Sequence, residues 1–194
     1  MSAQTGAGPR GPGPPPGRSN PHPTVRLRPV DLGDLDRVGE LEVELFGSGA
    51  WSRAAYEDEL AAPGRRYLAA VDESGTIVGY AGIALGPDSE VMTVGVSSAW
   101  RRRGIGTLLL DALLAAAREV RGRRVFLEVR TSDAGARRMY ERAGFRAVGL
   151  RHGYYQPDGG DALVMCLELR GAPPSGAEAV PPAVGAAAHG EVRP

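Results

Sequence analysis

The residues best suited to chemistry lie in Val94-Gly95-Val96-Ser97-Ser98-Ala99-Trp100-Arg101-Arg102-Arg103-Gly104-Ile105-Gly106-Thr107, which runs straight into Leu108-Leu109-Leu110-Asp111-Ala112-Leu113-Leu114. The pattern is a strand, an arginine-bearing loop with two glycines, and a helix N-terminus. Gly104 and Gly106 carry no Cβ, so the backbone can take unusual dihedrals and a ligand oxygen can come close. The first N–H groups of a helix have no partner within it and sit at the positive end of its macrodipole. Arg101, Arg102 and Arg103 add formal charge beside them, and a diphosphate fits such a cradle better than any neutral group. Two glycines ahead of a helix also make a plain tight turn, and an arginine run also makes a solvated face, so the loop alone admits both readings.

Two better-known phosphate loops are excluded. A Walker A loop needs Gly-Lys-Ser/Thr, which the sequence lacks. A Rossmann fingerprint would use Gly104-Ile105-Gly106 with Glu128 as its acid, but Leu109 stands where the third glycine belongs, and Ser97 to Arg103 separate strand from glycine where that turn is abrupt.

Glu128 is an acid among Val125, Phe126, Leu127 and Val129. Strand alternation can point it to a wet face, or pair it with Arg130 or Arg102, and on the residues alone that reading is favoured over an acid or base in a site. Tyr140 lies on a helical segment, where a tyrosine can pack its ring and wet its hydroxyl, or present that hydroxyl to a ligand.

The elements that must position these groups follow from periodicity and punctuation. Strands are expected at Val25 to Arg28, Tyr67 to Val71, Thr76 to Leu85 and Val91 to Val96, with turns at Asp72-Glu73-Ser74-Gly75 and Gly86-Pro87-Asp88. Helices are expected at Asp31 to Phe46, with Asp31 or Asp34 as cap, and at Ser52 to Leu60, stopped by Pro63-Gly64. A long helix from Ile105 to Val120 is apolar around most of its circumference, as burial against a sheet requires. The second half reads as strand Arg124 to Val129, helix Asp133 to Ala143 closed by Gly144, strand Phe145 to Leu150, a turn at Pro157-Asp158-Gly159-Gly160, and strand Ala162 to Leu169. A meander joined to strand–helix–strand alternation implies an α+β chain with a mixed central sheet flanked by helices.

Of 194 residues, 28 are glycine and 16 proline. They crowd into Met1 to Pro23 and Gly171 to Pro194, tails without the apolar periodicity to bury anything and expected to be disordered. One domain over residues 24–170 remains. The formal net charge is zero and the pI is about 6.8, so nothing in the overall balance asks for nucleic acid. No signal-peptide core or membrane-length apolar run occurs, and a cytoplasmic protein without membrane association is the expectation. The single cysteine, Cys166, reads as a packed strand thiol, and with only His22, His152 and His189 besides, no metal-ligand cluster is apparent in the sequence.

Arg101-x-x-Gly104-x-Gly106 after Val94-Gly95-Val96, followed by Leu127-Glu128-Val129-Arg130, Asp133 and Tyr140-Glu141-Arg142-Ala143-Gly144-Phe145, resembles the GNAT superfamily of N-acetyltransferases over roughly Val25 to Leu169. With Trp51-Ser52 and Tyr154-Tyr155, it is most similar to the RimI group of bacterial ribosomal-protein-alanine acetyltransferases. The resemblance implies the GNAT acyl-CoA N-acyltransferase fold and acetyl-CoA as cosubstrate, with no metal. Its pyrophosphate would lie on Arg102, Arg103, Gly104, Ile105, Gly106 and Thr107, and its pantetheine and acetyl portion along Val94, Gly95 and Val96. It further implies two strands splayed around the thioester, with a bulge near Gly95. In this likeness Glu128 is the general base, acting through water, and Tyr140 the general acid for the CoA thiolate. The acceptor is a protein N-terminus, the alanine of a small-subunit ribosomal protein, lying near Trp51, Tyr154 and Tyr155. Where the family most often has asparagine this chain has Asp133, which caps a helix equally well but, ionised, only accepts hydrogen bonds, leaving its cofactor contact open. A GNAT enzyme acting on a small amine or a lysine, and a non-catalytic acyl-CoA-binding module, are the alternatives; the presence of both Glu128 and Tyr140 argues against the module.

Overall fold

In the computed structural model, which describes residues 24–169, seven strands form one mixed sheet. In chain order they are β1 (Arg26–Pro29), β2 (Arg65–Val71), β3 (Ile77–Ala84), β4 (Asp88–Val96), β5 (Arg124–Arg130), β6 (Arg146–Tyr155) and β7 (Gly160–Glu168). Four α-helices accompany them: α1 (Leu35–Phe46), α2 (Arg53–Ala61), α3 (Ile105–Glu119) and α4 (Ala134–Arg142). The sheet order is β1-β2-β3-β4-β5-β7-β6, antiparallel throughout except where β4 meets β5. The expectations for the two tails lie outside the described residues.

Apolar side chains on both faces give the sheet two cores. On one face Leu109, Leu110, Leu113 and Leu114 of α3 pack on Val78, Ala81, Val91, Val125, Leu127 and Val129. Their spacing fills a broad stripe of the helix, and burial of four leucines favours this docking by about 1.5–3 kcal/mol each before cavity terms. On the other face Val38 and Leu41 of α1 and Tyr56 of α2 pack on Tyr67, Ala69, Val71 and Tyr80.

Three boundaries differ most from the sequence reading. The first helix is interrupted: Asp31 and Asp34 form a reciprocal capping box around a 3-10 turn at Leu32–Asp34, and α1 starts after it. β4 begins at Asp88 because the Ser89 hydroxyl closes the preceding turn on Gly86 N and O at 3.2 and 3.0 Å, while Asp88 pairs with Arg124 at 2.7 Å. β6 runs on to Tyr155, past the expected Leu150, as an edge strand with irregular register against β7, where polar residues facing solvent hide the alternation.

The β4–β5 pairing positions the site. It covers only Asp88↔Arg124, Ser89↔Val125 and Glu90↔Phe126, after which the strands part. The bulge on β4 falls at Met92, between Val91↔Ile83 and Thr93↔Gly82, and not near Gly95, which stays in register with Tyr80. Gly95 is small for a packing reason: a Cβ there would meet the Tyr80 ring at 2.7 Å and Leu45 at 2.9 Å.

Candidate active site

A cleft of about 1210 Å³ opens where β4 and β5 diverge, floored by the ends of both strands and walled by the loop before α3 and by α4. Val94, Gly95, Val96, Arg102, Gly104, Ile105, Gly106, Thr107, Glu128, Asp133, Tyr140 and Tyr155 all line it. Residues far apart in sequence are thus brought to one cavity. Arg103, Trp51 and Tyr154 are outside this lining. Arg103 stacks on Trp100 at 5.0 Å. Trp51 is buried beside Tyr56, ring centroids 5.4 Å apart, with its backbone N–H donating to Glu42 at 3.0 Å.

One wall is built from main chain. Gly104 caps α3 in the left-handed region at φ 82°, with no side-chain cap, and Arg102 also has positive φ, 61°. The first bond of the helix runs from Leu108 N–H to Gly104 C=O at 3.0 Å, so the N–H groups of Ile105, Gly106 and Thr107 precede the ladder and face the cleft without helical acceptors. An anion finds there both donors and the positive helix end. On β4, backbone groups past Glu90 that point toward β5 have no strand partner, which leaves them available to an extended ligand with amide groups. These two observations fit a diphosphate joined to a pantetheine arm. Glu44 of α1 tethers the start of the loop: its carboxylate accepts from Ser98 N–H at 2.7 Å, and that bond holds it below the usual carboxylate range.

The opposite wall is built from side chains. Glu128 lies in an ion pair with Arg151 of β6, Nε to Oε1 2.6 Å, instead of with Arg130 or Arg102. Arg151 reaches it because β7 inserts between β5 and β6 and puts the small Ala162 in register with both Arg130 and Arg151. Burial first, and then the neighbouring Glu128 carboxylate, raise the Tyr154 phenol above its ordinary range. Arg130 instead meets Asp158 at 2.7 Å and lies over the Tyr155 ring at 4.1 Å. Burial, then the Glu128 charge, push the Tyr155 hydroxyl up to about 12. Tyr140 is buried edge-on to Phe145, centroids 5.9 Å apart, and burial raises its hydroxyl, which therefore holds its proton at neutral pH.

Asp133 does what its position predicted for a cap: its Oδ1 accepts from Ala136 N–H at 2.9 Å at the head of α4. Sequence reasoning missed Leu45, Phe46, Gly49, Met92, Thr93 and Arg138, which also line the cleft. Of these, only Arg138 carried a local signal, sitting two residues before Tyr140 on a helix already assigned to the site. Among the described residues no group of three or more His, Cys, Asp or Glu is placed to hold a metal, and no helix is long and apolar enough to cross a membrane.

Comparison with known proteins follows the geometry. Residues 35–145 match the model of the acetyltransferase (GNAT) family. The chain is 44% identical over 153 residues to the N-alpha-acetyltransferase RimI of Mycobacterium tuberculosis, covering 73% of this chain and 94% of that one. It is 30% identical over 144 residues to the putative ribosomal protein bS18-alanine N-acetyltransferase of Bacillus subtilis, covering 74% of this chain and 95% of that one. In fold it is similar to Arabidopsis thaliana NAA60 in complex with acetyl-CoA, with TM-score 0.69 and 21% identity over 76% of this chain and all of that one.

Proposed function

The chain belongs to the acetyltransferase (GNAT) family, and from that premise we propose that it moves the acetyl group of acetyl-CoA to the N-terminal α-amine of a protein, the N-terminal alanine of a small-subunit ribosomal protein. Such an acceptor places the reaction in the cytoplasm, where ribosomes are made. The observation that carries the reading is that the free N–H groups heading α3, the unpaired edge of β4, Glu128 and Tyr140 all line a single cleft. The relatives named for N-α-acetylation and for bS18-alanine support the choice of acceptor.

When bound, acetyl-CoA supplies an activated thioester carbonyl. Arg102, Gly104, Ile105, Gly106 and Thr107 would hold its diphosphate, with Arg103 adding charge from outside the lining, and Val94, Gly95 and Val96 would align its arm. Amide formation then needs a neutral amine and a proton for the departing sulfur. Glu128 takes a proton from the acceptor ammonium through water, its carboxylate held in place by Arg151 and Tyr154. Tyr140 gives its hydroxyl proton to the sulfur. Tyr154 and Tyr155 would flank Glu128 on the acceptor side, whereas Trp51 is buried outside the lining, its backbone N–H on Glu42.

Nucleophile chemistry agrees. A peptide α-amine, with pKa about 7.7–8.0, is roughly a tenth neutral at pH 7, whereas a lysine amine at about 10.4 is neutral to a few parts in ten thousand. One carboxylate has the lighter task on an N-terminus. The test is incubation with acetyl-CoA and peptides that differ in N-terminal residue and lysine content, with mass spectrometry to locate the acetyl group. Transfer to alanine N-termini is expected; modification of lysines or small amines alone overturns the acceptor.

A further inference from the structure

Glu42 of α1 is only 1% exposed, next to Leu41 and among the aromatic rings of the core on the face of the sheet away from α3. A carboxylate in such a place is costly unless donors satisfy its oxygens. Three do. The Tyr56 hydroxyl donates to Oε1 at 2.6 Å, the Tyr80 hydroxyl donates to the same oxygen, and Trp51 N–H donates to Oε2 at 3.0 Å. Burial raises both phenols above their ordinary range, so each keeps its proton to donate. One side chain thus joins α1, α2, β3 and the connection between α1 and α2.

The junction lies directly behind the cleft. A Cβ on Gly95 would meet the Tyr80 ring at 2.7 Å and Leu45 at 2.9 Å, and Gly95, Leu45, Phe46 and Gly49 all line the cavity. The connection closes on itself through Ala50 N–H to Gly47 C=O at 3.1 Å and is fastened to α1 by the Trp51 bond. Val125, Leu127 and Val129 of β5 pack into the α3 core, so by alternation Glu128 faces the other side of the sheet, where Leu45 packs. An amine that gives its proton to Glu128 therefore approaches on the α1 side.

We propose that Glu42 is a positioning residue for the acceptor: by clamping Trp51, Tyr56 and Tyr80 together, it holds the wall of Leu45, Phe46 and Gly49 in place against the first residue of the incoming N-terminus. The inference rests on the proposed base and acceptor. Glu42 touches no substrate, and its mark is a change in acceptor KM that exceeds any change in kcat or in acetyl-CoA affinity.

Steady-state kinetics of the full chain with acetyl-CoA and an alanine-terminated peptide, with calorimetry for acetyl-CoA alone, test the clamp. Glu42→Gln keeps the shape of the side chain, but its amide accepts on one side only. Peptide KM should rise by about tenfold, kcat should fall by less than about threefold, and acetyl-CoA affinity should stay within about twofold. Tyr56→Phe removes one donor and keeps the ring; it should raise KM by about threefold in the wild type and add nothing in Glu42→Gln. If Glu42→Gln fails to fold, Tyr56→Phe and Tyr80→Phe must each raise KM on their own. A lowered melting temperature with peptide KM unchanged makes Glu42 a core residue alone and overturns the proposal, as do Tyr56→Phe and Glu42→Gln effects that simply add. Transfer by the wild type to lysines or small amines alone overturns the acceptor, and wild-type turnover in Glu128→Gln overturns the base; in either case KM for the amine that is acetylated still decides Glu42.

Discussion

The two walls of the cleft are made of different materials. The loop and helix head over residues 97–107 offer main-chain N–H groups, fixed by the positive φ of Arg102 and Gly104 and by one tether from Glu44. The facing wall of β5, β6 and β7 offers side chains that hold one another: Glu128 with Arg151 and Tyr154, Arg130 with Asp158 and Tyr155. A main-chain wall depends on local conformation and is insensitive to most side-chain identities. A side-chain wall depends on individual atoms, and its members can be removed one at a time. The first suits the part of a ligand that never changes during a reaction, the second the part that does.

Substitutions that exploit this contrast separate binding from turnover. The largest effect is expected for Gly104→Glu, which strains a left-handed position and puts a carboxylate at the anion cradle; acetyl-CoA affinity should fall by about a hundredfold or more by calorimetry. Retained affinity would break the assignment of the main-chain wall. Next come Glu128→Gln and Tyr140→Phe, each lowering kcat by about tenfold or more, as loss of a general base or acid does, while acetyl-CoA affinity changes little. Unchanged turnover in both would leave the side-chain wall without its chemistry. The smallest effect is expected for Asp133→Asn at the corner where the walls meet. Asparagine and aspartate cap helices about equally, so the melting temperature should stay within about 1–2 °C. A tighter acetyl-CoA complex in that variant would show that the residue also contacts the cosubstrate.

A pH dependence of stability follows for Glu90, the last residue of β4 paired to β5, whose carboxyl is raised by burial. Its folded carboxyl titrates near 7, above an unfolded value of about 4.3, so the native state binds more protons between these limits and stability declines as pH rises through them. Glu90→Gln removes this decline, which urea denaturation at pH 4.5 and pH 7.5 would reveal.

The same contrast explains what could be read in the sequence. The main-chain wall is contiguous: strand, glycines and helix head follow one another, and turn chemistry fixes their geometry locally. Glu128, Tyr140 and Asp133 were legible as types, but their partners were not. Arg151 reaches Glu128 only because β7 inserts between β5 and β6, a matter of sheet order that no local pattern encodes. The Glu42 clamp was hidden for a like reason, since its partners come from α2, β3 and the segment between α1 and α2. The bulge at Met92 lacks any glycine to announce it, whereas Gly95, which looked like one, answers to the Tyr80 ring.

The three residue pairs that join β4 to β5 make the molecule two plates riveted along one short seam. Four strands lie on one side of the seam and three on the other. Anything extended that bonds to the free edge of β4 while its head is gripped by α3 acts as a splint across that seam. Amide exchange along β4 and β5 should then slow on ligand binding more than at β1 or β6, and the protein would report occupancy of its cleft as stiffness.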